Sequence, residues 1–291
     1  MNKKSEILPN NICFITHQLE HLHNVSVSIS FKAGSLYESK YNNGISHLVE
    51  HLFFRQLSDL YQESLYFNMQ KIGGEITGKT YCDYVTFSIN VIPQYLYDAL
   101  DIMLKFFDDF EWSNSIILKE KEVVLRQIEN KAYSYNQWID SIYFDNTKYT
   151  LPIMGTKKTV KSLTAFEINS WKKEYFSPTN SCVTITGNFS NEFYDFLKQK
   201  LSIINNFGKK QDPIIEIAPN FTKRNSDNYL TVINADSKLS EVVVLFDIKN
   251  SFDYECVKLI TSILSDGCGS KLSMIMREKY QLTDDIFTQL T

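Results

Sequence analysis

The stretch GISHLVEHLFF, Gly44 to Phe54, sets two histidines and a glutamate within five residues of otherwise apolar sequence. Asn42-Asn43-Gly44 precedes it, so Asn43 is a candidate N-cap and a helix is predicted through about Arg55. On that helix His47 and His51 stand at i and i+4, and both imidazoles project from one face a turn apart. This spacing lets one nitrogen of each reach a single metal ion at about 2.0–2.1 Å. Glu50 lies beside them, able to take a proton from a metal-bound water without ligating. The competing explanation is a buried helix whose polar groups are satisfied by neighbours. Leaving those groups unpaired among Leu48, Val49, Leu52 and Phe53 would be costly.

Outward from this helix, strands and helices interleave. Val25, Val27, Ile29 and Phe31 alternate with Ser26, Ser28, Ser30 and Lys32, the period of a half-buried strand. Ile12 to Thr16 is expected to be its partner strand, with HQLEHLH, His17 to His23, as the connection. A second helix, about Asp59 to Ile72, ends at Gly73-Gly74. Val85, Phe87, Ile89 and Val91 mark another strand, and Pro93 opens a helix to about Phe110. A longer helix is predicted from Asn114 past Lys131, then a helix over Leu163–Tyr175, a strand over Cys182–Thr186 and a helix over Asn191–Leu201. This order predicts an α+β domain over residues 1–205. Residues 206–228 are polar, carry Pro213 and Pro219, and read as a linker. A second α+β unit fills 229–291, with strands near Tyr229–Asn234 and Glu241–Asp247 and helices over Asp253–Leu264 and Lys271–Tyr280. It is too short to repeat the first domain, so it is expected to be partial.

The bulk properties exclude several function classes. The net charge of −4 over 291 residues gives no global attraction to nucleic acid or to an anionic membrane. No window approaches about 18 consecutive apolar residues, the length of a membrane-crossing helix. MNKKSEILPN has lysines but no apolar segment behind them, so no secretory signal is read. The five cysteines, Cys13, Cys82, Cys182, Cys256 and Cys268, are odd in number, and none forms a Cys-x-x-Cys pair. Neither a disulfide framework nor a thiolate zinc site is suggested, and a cytoplasmic setting is expected.

The order His-x-x-Glu-His is the inverzincin signature, and the surrounding sequence resembles the pitrilysin family of zinc metallopeptidases, which includes insulin-degrading enzyme and the mitochondrial processing peptidase. The resemblance rests on Lys32-Ala33-Gly34-Ser35, Tyr37-Glu38 and Asn43-Gly44-Ile45-Ser46 before the motif. After it come Ile72-Gly73-Gly74-Glu75-Ile76, Asp83-Tyr84-Val85, Pro152-Ile153-Met154-Gly155-Thr156, Ser162-Leu163-Thr164, Tyr175-Phe176-Ser177-Pro178-Thr179-Asn180 and Gly187-Asn188-Phe189. Gly267-Cys268-Gly269-Ser270-Lys271-Leu272 and Met276-Arg277-Glu278-Lys279 extend it to the second unit. It implies a mixed or antiparallel sheet covered by helices, followed by part of a second homologous domain. It also implies one Zn2+ ion held by His47 and His51, Glu50 as general base, a peptide substrate, and a homo- or hetero-oligomer closing around that peptide.

The resemblance further implies a third zinc ligand, a glutamate on the long helix about 76 residues beyond the second histidine, where this chain has Gln127. Two neutral imidazoles and a neutral amide oxygen would hold zinc less tightly than a set with a carboxylate. Glu120 matches the family's supporting acid. It lies about 10 Å along the helix axis from position 127, so it is expected to bond a zinc histidine rather than replace the ligand. Glu122 and Glu129 read as a solvated face. Arg277 matches a substrate-contacting arginine, but the tyrosine expected seven residues later is Asp284. The family has no ligands at the positions of His17, His21 and His23. Two functions therefore stand side by side. One is a zinc endopeptidase of short or unfolded peptides with a weakened third ligand; the other is a non-catalytic subunit that binds peptide or pairs with an active relative.

Overall fold

The computed structural model describes residues 2–60, 65–130, 148–211 and 253–288 except 284, together with positions 242 and 244. By its contacts the chain divides into two compact units, Met1–Arg224 and Asn225–Thr291. The first is built on a six-stranded sheet: β1 (Asn2–Ile7), β2 (Cys13–Gln18), β3 (Val25–Phe31), β4 (Glu75–Thr80), β5 (Val85–Val91) and β6 (Ser181–Gly187). The spatial order is β1-β2-β6-β3-β5-β4, with β2 and β6 parallel and every other pair antiparallel. The architecture is α+β with a mixed sheet.

Two strand expectations need correction. β2 does not pair with β3, because β6 lies between them and bonds both. Alternating hydrophobicity fixes which face of a strand is buried, not which strand lies beside it. β1 has no alternation to betray it: its sequence NKKSEI is an edge strand paired only with β2, charged as exposed edges commonly are. β2 also runs to Gln18, so His17 sits in a strand rather than in the connection.

One face of the sheet is apolar and closed. Val25, Val27, Ile29, Phe31, Val85, Phe87 and Ile89 are all buried. Against this face pack α1 (Ile45–Leu60) and α3 (Leu96–Leu104), and α4 (Asn114–Asn130) packs on α1. Phe53 of α1 anchors the centre, with ring centroids 5.3 Å from Phe87, 5.4 Å from Phe106, 5.2 Å from Trp112 and 5.6 Å from Phe176. The outer face is half-buried and hydroxyl-rich: Ser28 bonds Ser88 at 2.8 Å, and Ser30 donates to Thr86 at 3.0 Å.

The predicted helices shift at their ends: α1 runs on to Leu60 rather than ending near Arg55. α2 spans Leu65–Lys71 before the Gly73 turn. The segment from Pro93 is a 3-10 turn, then α3, then a second 3-10 turn over Lys105–Phe107. The helix expected over Leu163–Tyr175 is α6 (Ala165–Tyr175), preceded by an additional short helix, α5 (Lys157–Ser162); Thr164 caps α6, its hydroxyl accepting from the Glu167 N–H while Glu167 accepts from the Thr164 N–H. That capping box starts a new helix where the old one ends. α7 covers Asn191–Ser202.

In the second unit, α8 (Tyr254–Ser265) begins at Asp253, whose carboxylate accepts from the Glu255 N–H at 2.9 Å. The helix expected over Lys271–Tyr280 includes a π-helical stretch, Ser273–Lys279. The strands expected near Tyr229–Asn234 and Glu241–Asp247 lie outside the described residues. Among the described residues, no helix is long and apolar enough to cross a membrane.

Candidate metal centre

The start of α1 is held by a carboxylate from the preceding loop. Glu38 is buried and accepts hydrogen bonds from the Gly44 N–H at 2.8 Å, the Ser46 N–H at 2.9 Å and Asn43 Nδ2 at 2.9 Å. Asn43, expected to cap with its own oxygen, instead spends its amide donor on Glu38 and on the Pro152 carbonyl at 2.9 Å. A buried acid that satisfies two otherwise orphaned helix donors does the capping here. Burial pushes the Glu38 carboxyl above its ordinary value, against the pull of those donors. Gly44 has φ +92 and Gly155 φ +72, and a Cβ on Gly44 would meet Gly155 Cα at 2.7 Å. The Pro152–Thr156 segment can therefore seat directly on the helix start. We expect Glu38→Ala to cost about 2–5 kcal/mol of stability by stranding three buried donors. Thermal or denaturant unfolding measures this.

Anchored in this way, α1 presents His47 and His51 toward α4 with ring centroids 4.7 Å apart. His51 Nδ1 lies 3.0 Å from Glu120 Oε1, a bond that leaves its Nε2 for another partner. His47 Nε2 lies 3.4 Å from Gln127 Oε1. α4 is itself fixed, because Lys121 Nζ donates to the carbonyls of Lys161 and Leu163, both at 2.8 Å. Glu122 and Glu129 point to solvent, within 3.7 Å of Arg126 and 3.1 Å of Lys157 respectively.

Glu50 is almost fully buried, and strand β4 sets its posture. Thr80 Oγ1 donates to Glu50 Oε2 at 2.5 Å. The same oxygen is 3.5 Å from His47 Nδ1, a buried nitrogen with no hydrogen-bond partner. Oε1 faces Gly78, where a Cβ would come within 2.7 Å of it and 2.4 Å of the Phe54 ring. Burial alone would push the Glu50 carboxyl up. His47, Thr80 and His51 more than offset this and leave it below the ordinary carboxylate value. Thr80 and Gly78 escaped the sequence reading. A glycine inside a strand pattern, which marks a close approach, was the available signal.

One donor pair has the spacing that two ligands of a zinc ion would have, while the set lacks charge. Two donors each about 2.0–2.1 Å from a tetrahedral centre stand roughly 3.3 Å apart, and His47 Nε2 and Gln127 Oε1 are 3.4 Å apart. The donors on offer are two imidazoles and an amide oxygen, all neutral. Among the described residues no three His, Cys, Asp or Glu side chains converge as a metal set.

The other histidines gather into no metal set among the described residues. His17 lies on β2, and its Nε2 is buried without a hydrogen-bond partner. His21 and His23 lie between β2 and β3. Arg277 sits in the second unit's π-helical stretch, half-exposed, with Nε 3.7 Å from Glu278. Asp284 lies outside the described residues.

Comparison with known proteins identifies the family. The chain is 23% identical over 283 residues to an uncharacterized zinc protease of Rickettsia felis, covering 94% of this chain and 66% of that protein. It is 25% identical over 192 residues to the uncharacterized zinc protease YmxG of Bacillus subtilis, covering 63% of this chain and 46% of that protein. It is 21% identical over 257 residues to a probable mitochondrial-processing peptidase subunit beta of Arabidopsis thaliana, covering 87% and 48%. The chain thus spans about half to two thirds of the length of the curated relatives it matches. Its fold is shared with the crystal structure of a protease from Helicobacter pylori, at TM-score 0.74 and 18% identity over 99% of this chain and 71% of that one. The family model for insulinase, peptidase family M16, matches residues 14–157, and that for the peptidase M16 inactive domain matches 162–291. With the inverted histidine motif on α1 and both models falling in order along nearly the whole sequence, the chain belongs to peptidase family M16.

Proposed function

We propose that this chain is the site-bearing part of a zinc-dependent metalloendopeptidase of short or unfolded peptides, with its third ligand weakened to Gln127. The observation that carries this reading is the convergence of His47 Nε2 and Gln127 Oε1 at 3.4 Å, beside a Glu50 carboxylate held at 2.5 Å by Thr80. His47, His51 and Gln127 would hold the metal, and Glu120 orients His51 through Nδ1. Bound there, zinc would supply Lewis acidity toward the scissile carbonyl and the attacking water. Glu50, ionised because its carboxyl lies low, accepts the water proton and hands it to the leaving amine. Thr80 occupies Oε2, and the missing side chain at Gly78 keeps room beside Oε1, the oxygen assigned to proton transfer.

Zinc content of the purified full chain, measured beside chelator-sensitive cleavage of a quenched fluorescent peptide, tests the reading. Protein with neither stoichiometric zinc nor chelator-sensitive cleavage overturns it. If Thr80 positions the base, Thr80→Val lowers kcat about tenfold, and Thr80→Ser restores most of it.

The neutral Gln127 also favours a second reading, a non-catalytic subunit that binds peptide or pairs with an active homologous chain. Several relatives are named as subunits, among them mitochondrial-processing peptidase subunit beta of Saccharomyces cerevisiae. Either reading is compatible with a homo- or hetero-oligomer. Size measurement of the purified chain, alone and mixed with a zinc-binding relative, distinguishes these assemblies.

A further inference from the structure

Cys13 and Cys182 belong to adjacent strands and stand directly opposite each other in the parallel β2–β6 register. Neighbouring strands run about 4.7–4.9 Å apart, and a disulfide needs Cα atoms about 4.4–6.8 Å apart. The spacing therefore suits a bond without a change of backbone register. Both side chains share the outer face of the sheet, because their neighbours Phe14 and Val183 fill the core while both cysteines are half-buried. Both are free thiols.

We propose that Cys13 and Cys182 form a redox-modification site, a dithiol that closes to a disulfide by exchange with a small-molecule disulfide. Cys13, as the thiolate, attacks one sulfur of the small disulfide, whose S–S bond breaks and releases one thiolate. Cys182 then attacks the Cys13 sulfur of the mixed disulfide and expels the second small thiolate. The two protein thiols lose two protons and two electrons, and the small disulfide gains them as two thiols. Burial pushes the Cys182 thiol up to about 12, so its attack on the mixed disulfide is slow.

The consequence lies in the topology. Among the described residues, β6 is the only strand joining the β1–β2 pair to the rest of the sheet. A bond across β2–β6 thus pins the N-terminal pair to the unit that carries the histidine helix. The pair sits across the sheet from β4 and on the opposite face from α1, so it does not rest on the peptidase reading.

The test uses the full chain, reduced and then exposed to oxidised glutathione, quenched in acid, alkylated, digested and mapped by mass spectrometry. The expected product is a linked pair of peptides containing Cys13 and Cys182, while the exposed Cys256 and Cys268 carry glutathione singly. In Cys182→Ser, glutathione should persist on Cys13 for want of a resolving thiol. The proposal is overturned if, once Cys256 is fully modified, Cys13 and Cys182 are recovered alkylated or each bearing its own glutathione.

Discussion

Replacing Gln127 by glutamate raises zinc affinity by at least about 100-fold, since loss of even an outer partner of a ligand typically costs 10–100-fold. The substitution is nearly isosteric, and its oxygen starts 3.4 Å from His47 Nε2, the separation expected of two ligands on one ion. What changes is charge. The native donor set is neutral, whereas a carboxylate places a full negative charge against the cation. Without metal, the new carboxylate would be half-buried, so the metal-free variant should be less stable than the native chain and gain more stability on adding zinc. Competition against a chromophoric chelator measures the affinity, and thermal melts with and without zinc measure the linkage. Chelator-sensitive cleavage should rise in parallel if Gln127 is what limits the native site. Unchanged affinity would show that position 127 is not a ligand position in this chain and would remove the main support for the centre.

The sequence carried the histidine helix openly, because His47, Glu50 and His51 lie within one turn and need only helical geometry to meet. Gln127 and Glu120 were reachable only through a resemblance, since nothing local tells a residue on α4 that it faces α1. The Thr164-x-x-Glu167 box is plain in the letters and agrees with the helix start expected near Leu163, whereas the short α5 before it has no apolar periodicity to announce it. Three features were hidden for a common reason: each is a long-range contact whose local signal is ambiguous. β6 enters between β2 and β3 although its own pattern says only that it is a half-buried strand. Glu38 takes over the cap from Asn43 because a loop folds back on the helix start. Thr80 reaches Glu50 because β4 runs beside α1, a proximity created by the order of the sheet. Periodicity reports burial faithfully; it is silent about partners.

Glu50→Gln, made in the Gln127→Glu background so that weak metal binding is not limiting, lowers kcat by about 10²- to 10⁴-fold, the range for removal of a general acid–base group. The amide keeps the shape of the side chain and can still engage the Thr80 hydroxyl, so folding and the posture of α1 should be little changed. It cannot accept a proton at the oxygen beside Gly78, and it carries no charge for His47 and His51 to stabilise. Because Glu50 is assigned no place in the ligand set, zinc stoichiometry stays at its parental value and KM moves far less than kcat. Those two readouts separate the roles. A variant that loses zinc together with activity would make Glu50 a ligand, whereas one that keeps both would leave the acid with a structural duty alone. Two observations support the base assignment: Glu50 is buried, and the Thr80 bond at 2.5 Å restrains one oxygen while the other faces Gly78.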